Sequence, residues 1–599
     1  MQRVDNGVSA INRRSRGTTP SPYPLPQGGG GFLKFDWRRL TLVLLILLLI
    51  WQVVIPFAMI IWTSLKTARP GEPEFLSLSF TLANYARALG SATFWGATGN
   101  TLAFAGAATA LSFALGAFLA WVVSRTNTPL GRLIGLMLVA RIIIPGILIA
   151  IAWILLASPN IGLLNYLGLQ LTGTRNIFNI YSFGGMVFVH GLDMVPLAYL
   201  LLSASFQSMD PRLEEASTMT GAGTLRTLRS IVLPLALPAT AAALLLLFIT
   251  AVETFDVPLL MGGRAGIRVY STEIFFNTSR TPIDWGLSST YAMALTVISV
   301  LLLAVYFRLV RHAERYQTVT GKDFRPRRLD LGRWRYASCA AALLLTFLIT
   351  GVPFLMMGYS SLLPSYRPPS AASFAAMSFD NYAVLLADRY TIDPLVNSTL
   401  LGVGSATAVV LLVSVIAYFV HKTKIPGRKL LDFLGFAPIA IPSVVLGAAF
   451  LWFYLLVPIP VIGTLTIIGL AYLTKYMPFA LRFVSGSMLQ IHGELEEAAE
   501  ICGVPWWRNF IKIYLPLLKP GMLAAWFWVM VHAYRELTIA IMLARSHNRT
   551  AAVLVYDIWE RGALTRLSAF GVLMFAILMV LVGIAHAISR RYGVKEQVS

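Results

Sequence analysis

Charge is what this sequence has least of. Of 599 residues, 13% are Asp, Glu, Lys or Arg, about half the roughly 25% of an ordinary soluble domain. A chain so poor in charge, 57% hydrophobic and with a mean hydropathy of +0.71, reads as a membrane protein by composition alone. Cysteine is nearly missing too. Cys339 and Cys502 lack metal-type spacing, so neither a disulfide framework nor a zinc site is implied. No G-x-x-x-x-G-K-[ST] occurs. The stretch "VTGKD" at Val319 lacks the first Gly and the Ser/Thr, so it cannot cradle nucleotide phosphates. No acid–base or nucleophile constellation marks an enzyme. Acids are scarce, 27 against 48 bases, but the bases lie between apolar runs. That placement fits a positive-inside membrane topology better than a nucleic-acid surface.

Long apolar runs are what the chain has instead. Twelve are expected as transmembrane helices, near 40–64, 93–124, 133–157, 183–205, 238–262, 287–308, 336–359, 396–420, 430–456, 464–486, 520–543 and 567–588. Each reaches the roughly 20 residues that cross a bilayer, and backbone satisfaction in lipid makes them helices. The first run is too long for a signal-peptide core and no cleavage site follows it, so it is read as uncleaved. Residues 1–39, with "GTTPSPYPLPQGGGG", read as a disordered basic cytoplasmic tail. With that tail inside, cytoplasmic segments hold 31 Lys/Arg, the opposite side 13, and four (Arg141, Lys475, Arg482, Arg535) fall within helices. The excess has the sign that topology requires.

The chain repeats itself. "NYARAL" at Asn84 answers "NYAVLL" at Asn381, and "ARIIIP" ending at Pro145 answers "APIAIP" ending at Pro442, both 297 positions apart. From Pro196 and Pro478 onward the offset is 282, so the first half carries fifteen extra residues between Pro145 and Pro196. The expected organisation is a six-helix half at 40–310, a basic cytoplasmic linker at 311–335, a second half at 336–589 and a short tail at 590–599. Both halves begin in the cytoplasm, so the repeat is parallel.

One polar segment is also duplicated, "LEEASTMTGAGTLRTLRSIVLP" at Leu213 and "LEEAAEICGVPWWRNFIKIYLP" at Leu495. It falls between the fourth and fifth helices of each half, on the cytoplasmic side. Asp210 suits an N-cap, with Pro211 at the first helical position. Gly221 and Gly503 are expected to end a short helix in the left-handed conformation. A second short helix follows, with Arg226 and Arg508 at equivalent positions and Pro234 and Pro516 closing it. Two copies in register point to a docking surface rather than an incidental turn.

The pattern Glu-Ala-Ala, three residues, Gly, nine residues, Ile-x-Leu-Pro resembles the EAA loop of ABC importer permeases. "EAAEICG…IYLP" from Glu497 and Ala498 matches it, and so does "EASTMTG…IVLP" from Glu215 and Ala216, with Ser217 in place of the second Ala. Apart from the tail, the chain resembles the fused twelve-helix permeases of the ferric iron type, whose relatives carry thiamine, polyamines or phosphonates. "YQTVTGKDFRPRRLDLGRWR", "ETFDVPLLMGG" from Glu253 and "RELTIAIML" from Arg535 are further echoes. The resemblance implies an all-α integral membrane protein of the type I ABC importer permease fold, in the cell inner membrane. It implies a periplasmic solute-binding protein, two copies of a separate ATPase subunit with one coupling loop seated in each, and no cofactor on this chain.

Charges inside the membrane are the remaining candidates. Glu253 and Arg535 are equivalent by the 282 offset, with Asp256, His532 and Glu536 nearby. A central charge costs about 2.5–3.5 kcal/mol on insertion scales, so such groups face protein or a wet cavity. Glu253 and Arg535 either pair across the axis between the halves or line a translocation pathway separately. Asp193 and Lys475 precede Pro196 and Pro478 at expected kinks, and Arg141 and His190 join them as residues read as structural. A secondary transporter of two six-helix halves is the rival class. The short loops "SRTNTPLGR" and "HKTKIPGRK" lack the charged element that class would place there.

Overall fold

A computed structural model describes residues 37–591, apart from 175, 208–216, 218, 222–225, 227, 228, 231, 232, 314–328 and 493. Of the expected tails at 1–39 and 590–599, residues 1–36 and 592–599 lie outside the described residues, as does most of the linker, while 37–39 and 590–591 belong to helices. The rest is helical, and the single Thr126–Leu329 bridge is the only β pairing among the described residues.

Eight helices are long and apolar enough to cross a membrane by length and composition. Three further segments are bent pairs and one, Ala236–Val252, is shorter. Together they account for the twelve apolar runs. Four of those runs were expected as single helices and are not: 238–262 stops at Val252 and 520–543 at Arg535, and the other two bend sharply. Gly131–Arg141 meets Gly146–Ala157 at 103°, and Arg428–Ala440 meets Ser443–Leu456 at 111°. Each break ends on Pro145 or Pro442, whose ring removes a helical donor and disfavours helical geometry in the residue before it.

The halves repeat helix for helix. Trp37–Ser64 answers Trp334–Ser361, and each contains one π turn, Ile50–Val54 and Phe347–Gly351. Pro56 and Pro353 follow those turns at equal distances. The widened turn absorbs the clash and the missing donor that an interior proline brings. Ala92–Arg125 answers Arg389–Lys422, and Phe183–Gln207 answers Leu465–Leu489.

The first helix of each half packs on the other half. Trp37–Ser64 lies against Arg428–Phe436 and Ser443–Leu456 of the second half as well as Trp285–Ala313 of its own, while Trp334–Ser361 lies against Gly131–Arg141 and Gly146–Ala157 of the first half as well as Leu564–Arg591 of its own. The exchange ties the two repeats into one body. The repeated "NYA" explains how the exchanged helices end. Asn84 Nδ2 donates to the Ser64 and Lys66 carbonyls at 3.1 and 2.7 Å, and Asn381 Nδ2 to those of Ser361 and Leu363 at 2.9 and 2.7 Å. Tyr85 and Tyr382 bond the Ser64 and Ser361 hydroxyls at 2.8 and 2.7 Å. Each motif satisfies carbonyls orphaned at a helix C-terminus.

The fifteen extra residues form a folded ledge. Helix Leu163–Thr172 is held by Asn165, whose Nδ2 donates to the Ser158 and Phe178 carbonyls at 2.9 and 2.7 Å.

Candidate functional site

The helix breaks meet between the halves, around a cavity of about 1890 Å³ lined by Arg141, Asp193, Glu253, Asp256, Lys475, Arg535 and Glu536. Helix Leu233–Val252 stops one residue before Glu253, and helix Lys519–Arg535 stops at Arg535. Both charges therefore sit at helix ends rather than within helices, where the chain can turn toward the cavity. Arg535 is at a C-terminus, which favours a cation.

Glu253 and Arg535 do not pair. Lys475 Nζ donates to Glu253 Oε2 at 3.4 Å, joining the fourth helix of the second half to the end of the fifth in the first. Arg535 Nη1 instead donates to the backbone carbonyls of Ile142 and Ile144, the latter at 3.4 Å. Those carbonyls are freed by the break before Pro145, and a buried orphan acceptor must find a donor. Arg141, fully buried, adds a bond to Ile144 O at 3.3 Å and pairs with Asp193. Lys475, read from sequence as a kink residue, is thus the cross-half partner of Glu253. The 282 offset held the clue: it relates Asp193 to Lys475 as it relates Glu253 to Arg535, with opposite charges in both pairs.

Glu536 has structural work as well. Its Oε1 accepts from the Ile539 amide at 3.1 Å, capping helix Thr538–Leu543, and its Oε2 accepts from the Tyr476 hydroxyl at 3.2 Å. A carboxylate at a helix start suits the exposed amides and the dipole there. Asp256 stands beside Gly146, at the start of helix Gly146–Ala157, and a Cβ on that glycine would lie 3.1 Å from its Oδ2. His190 stacks on Phe104 at 5.4 Å, and His532 stacks on Trp528 at 3.9 Å. Among the described residues no three His, Cys, Asp or Glu side chains gather closely enough to hold a metal ion.

Glu215 and Ala216 lie outside the described residues. Gly221 and Gly503 adopt φ +79° and +67°, and Gly503 follows helix Glu494–Ile501. Two equivalent positions are buried, Ser217 at 8% exposure and Ala499 at 7%; two residues on, Met219 and Ile501 stand out at 88% and 86%. Both loops thus present a large apolar side chain just before the glycine. Glu497, Ala498, Arg226 and Arg508 are exposed. Trp506 anchors the second loop, stacking on Tyr418 at 6.1 Å and meeting Phe419 edge-on at 5.4 Å.

Pro516 does not close the second short helix. The run Trp506–Leu517 passes through a π turn at Phe510–Tyr514, which accommodates the proline, and bends by 73° only at Leu518. Pro234 is the second described residue of helix Leu233–Val252; residues 231 and 232 before it lie outside the described residues.

An all-helical membrane protein of two exchanged, repeated halves around a charged cavity has the type I permease architecture. The chain belongs to the family of binding-protein-dependent transport system inner membrane components, whose model matches residues 112–317 and 410–593, once in each half. It is similar to the ferric transport system permease protein FbpB of Actinobacillus pleuropneumoniae, 26% identical over 406 residues, or 67% of this chain and 58% of that one. It is similar also to the putative ferric transport system permease protein FbpB 1 of Haemophilus influenzae, 26% identical over 62% of this chain and 58% of that one. The matched region thus spans less than two thirds of either relative. The spermidine/putrescine permease PotB of Salmonella typhimurium is 28% identical over 46% of this chain and 94% of its own length.

Proposed function

We propose that this chain is the membrane subunit of an ATP-driven importer, passing ferric iron handed over by a periplasmic binding protein. It lies in the cell inner membrane with both termini cytoplasmic and needs no cofactor of its own. ATP is hydrolysed on two copies of a separate subunit, one under each duplicated loop. The observation that carries this is the loop pair: two equivalent left-handed glycines, each preceded by an almost fully exposed apolar side chain at Met219 and Ile501. A rigid knob with an apolar tip buries surface only when something closes over it.

Movement of a seated loop reaches the core through Trp506, which packs on helix Arg389–Lys422. The cavity between the halves is the pathway, with Glu253, Asp256, Arg535 and Glu536 on its wall. The Glu253–Lys475 pair and the Arg535 bonds to Ile142 and Ile144 bridge the halves, so they must exchange partners when the halves separate. The two ferric relatives support iron as the cargo. The PotB likeness supports a polyamine as the alternative, and thiamine and phosphonates remain within the same machinery. Competitive uptake into proteoliposomes holding the chain, its ATPase and its binding protein separates these. Radiolabelled ferric iron should enter only with ATP and binding protein present, unaffected by excess spermidine; uptake of spermidine and not iron would overturn the cargo assignment.

A further inference from the structure

Arg482 stands on the wall of the pathway cavity but takes no part in its ion pairs. It lies in the membrane helix Leu465–Leu489, yet its side chain is exposed, and among the described residues no carboxylate pairs with it. Its contact is the Phe436 ring, 4.4 Å from the guanidinium carbon. An arginine at that depth, seven residues or about 10 Å from the end of its helix, is costly in hydrocarbon unless it meets water or an anion. The repeat-equivalent residue is Leu200, so the second half alone carries the charge.

Arg482 borders a second cavity, of about 820 Å³, separate in most of its wall from the one between the halves. Val53, Phe57, Val300, Phe307 and Phe433 make that wall apolar. Its wall also carries three bases, His421, Lys429 and Arg482, against one acid, Asp432. An apolar groove with that excess of cations on its wall matches one ligand chemistry: a long hydrocarbon bearing an anionic head.

We propose that this groove holds an anionic phospholipid, with an acyl chain along Phe57, Val300 and Phe433 and the phosphate between Arg482 and Lys429. The commitment to lipid rests on the wall. A free phosphate would use the cations and leave the apolar surface bare, whereas Phe433, Val300 and Val54 are all exposed and an acyl chain would cover them. Under the proposed topology the lipid comes from the cytoplasmic leaflet. That assignment rests on the functional reading above; the binding does not. Arg482 borders both cavities, so a seated headgroup also screens its charge from the pathway.

The test loads the purified full-length chain in detergent with equimolar dioleoylphosphatidylglycerol and dioleoylphosphatidylcholine and counts retained lipids by native mass spectrometry. The wild type should keep the glycerol lipid preferentially. Arg482→Gln and Lys429→Gln should each lower that preference roughly fivefold, the worth of one basic residue near an anionic surface. Val300→Trp, which fills the groove and keeps every cation, should lose bound lipid of both kinds and guards against a folding defect in the charge variants. Water-soluble glycerophosphoglycerol should not displace the lipid. Equal retention of the two lipids, an unchanged preference in the Arg482→Gln, Lys429→Gln double variant, or displacement by the soluble head would each overturn the site. Because this count needs neither ATP nor cargo, its failure leaves the importer reading untouched.

Discussion

Glu253 and Lys475 are joined at 3.4 Å across the two halves, and their repeat equivalents, Arg535 and Asp193, carry the opposite charges. The second of the two symmetry-related pairs is not made. Asp193 is taken by Arg141, and Arg535 by the carbonyls of the broken helix. The charged positions therefore repeat with their signs reversed, and only one of the two related pairs is formed.

A double-mutant cycle on Glu253 and Lys475 follows from that geometry. Glu253→Gln and Lys475→Met should each destabilise the protein in detergent, and the double variant should lose less than the sum of the two single losses. A coupling of about 0.5–3 kcal/mol is expected for residues in contact. The same cycle on Glu253→Gln and Arg535→Gln should be close to additive, since those residues have separate partners. Thermal unfolding followed by tryptophan fluorescence measures both cycles.

Arg535 bonds two carbonyls with one nitrogen, which a shorter or uncharged side chain cannot copy. Arg535→Gln should cost about 1–3 kcal/mol, the penalty of leaving a buried acceptor unsatisfied. Arg535→Lys should recover part of the loss, because it keeps the charge at the helix C-terminus. A lysine variant as unstable as the glutamine variant would show that planarity, not charge, is what the site uses.

The native thiols test the topology without any engineering. Cys502 is exposed beside Gly503, whereas Cys339 is buried with its thiol donating to Pro129 O at 3.2 Å. A membrane-impermeant maleimide should label Cys502 only from the cytoplasmic face and Cys339 from neither. In a Cys502→Ser background, Leu82→Cys and Phe379→Cys, both exposed, should label only from outside. Labelling of those two from opposite faces would contradict a parallel repeat.

Much of this was written in the sequence, because duplication doubles every signal. Six apolar runs, the "NYA" clamp and the polar loop each recur in the second half, at an offset of 297 before the insertion and 282 after it, so chance resemblance was easy to discount. The helix breaks at Pro145 and Pro442 were visible as prolines, but the apolar residues around them continued the run and hid a bend of more than 100°. The offset marked Lys475 as one of two sign-reversed positions, but its choice over Arg535 as partner of Glu253 was not legible. It depends on how two helices from different halves are rotated against each other, which hydrophobic periodicity does not encode. The exchange of the first helices is likewise a tertiary fact, since those helices are equally apolar whichever half they cover.

Gly221 and Gly503 supply a graded test of the loops. With φ positive and open space where a Cβ would go, a valine there meets backbone strain of about 1–2 kcal/mol rather than a clash. Gly503→Val should leave the protein inserted and uncouple ATP hydrolysis from uptake, while Gly503→Asn, which tolerates the left-handed region, should retain coupling. Equal coupling in both variants would remove the role assigned to that turn.

The most direct measurement is the number of ATPase subunits that co-purify with the affinity-tagged chain from membranes expressing both. Two per chain are predicted for the wild type, one for Met219→Glu or Ile501→Glu alone, and none for the double variant, in which both apolar tips are lost. Two ATPase subunits retained by the double variant, with transport unchanged, would contradict the account.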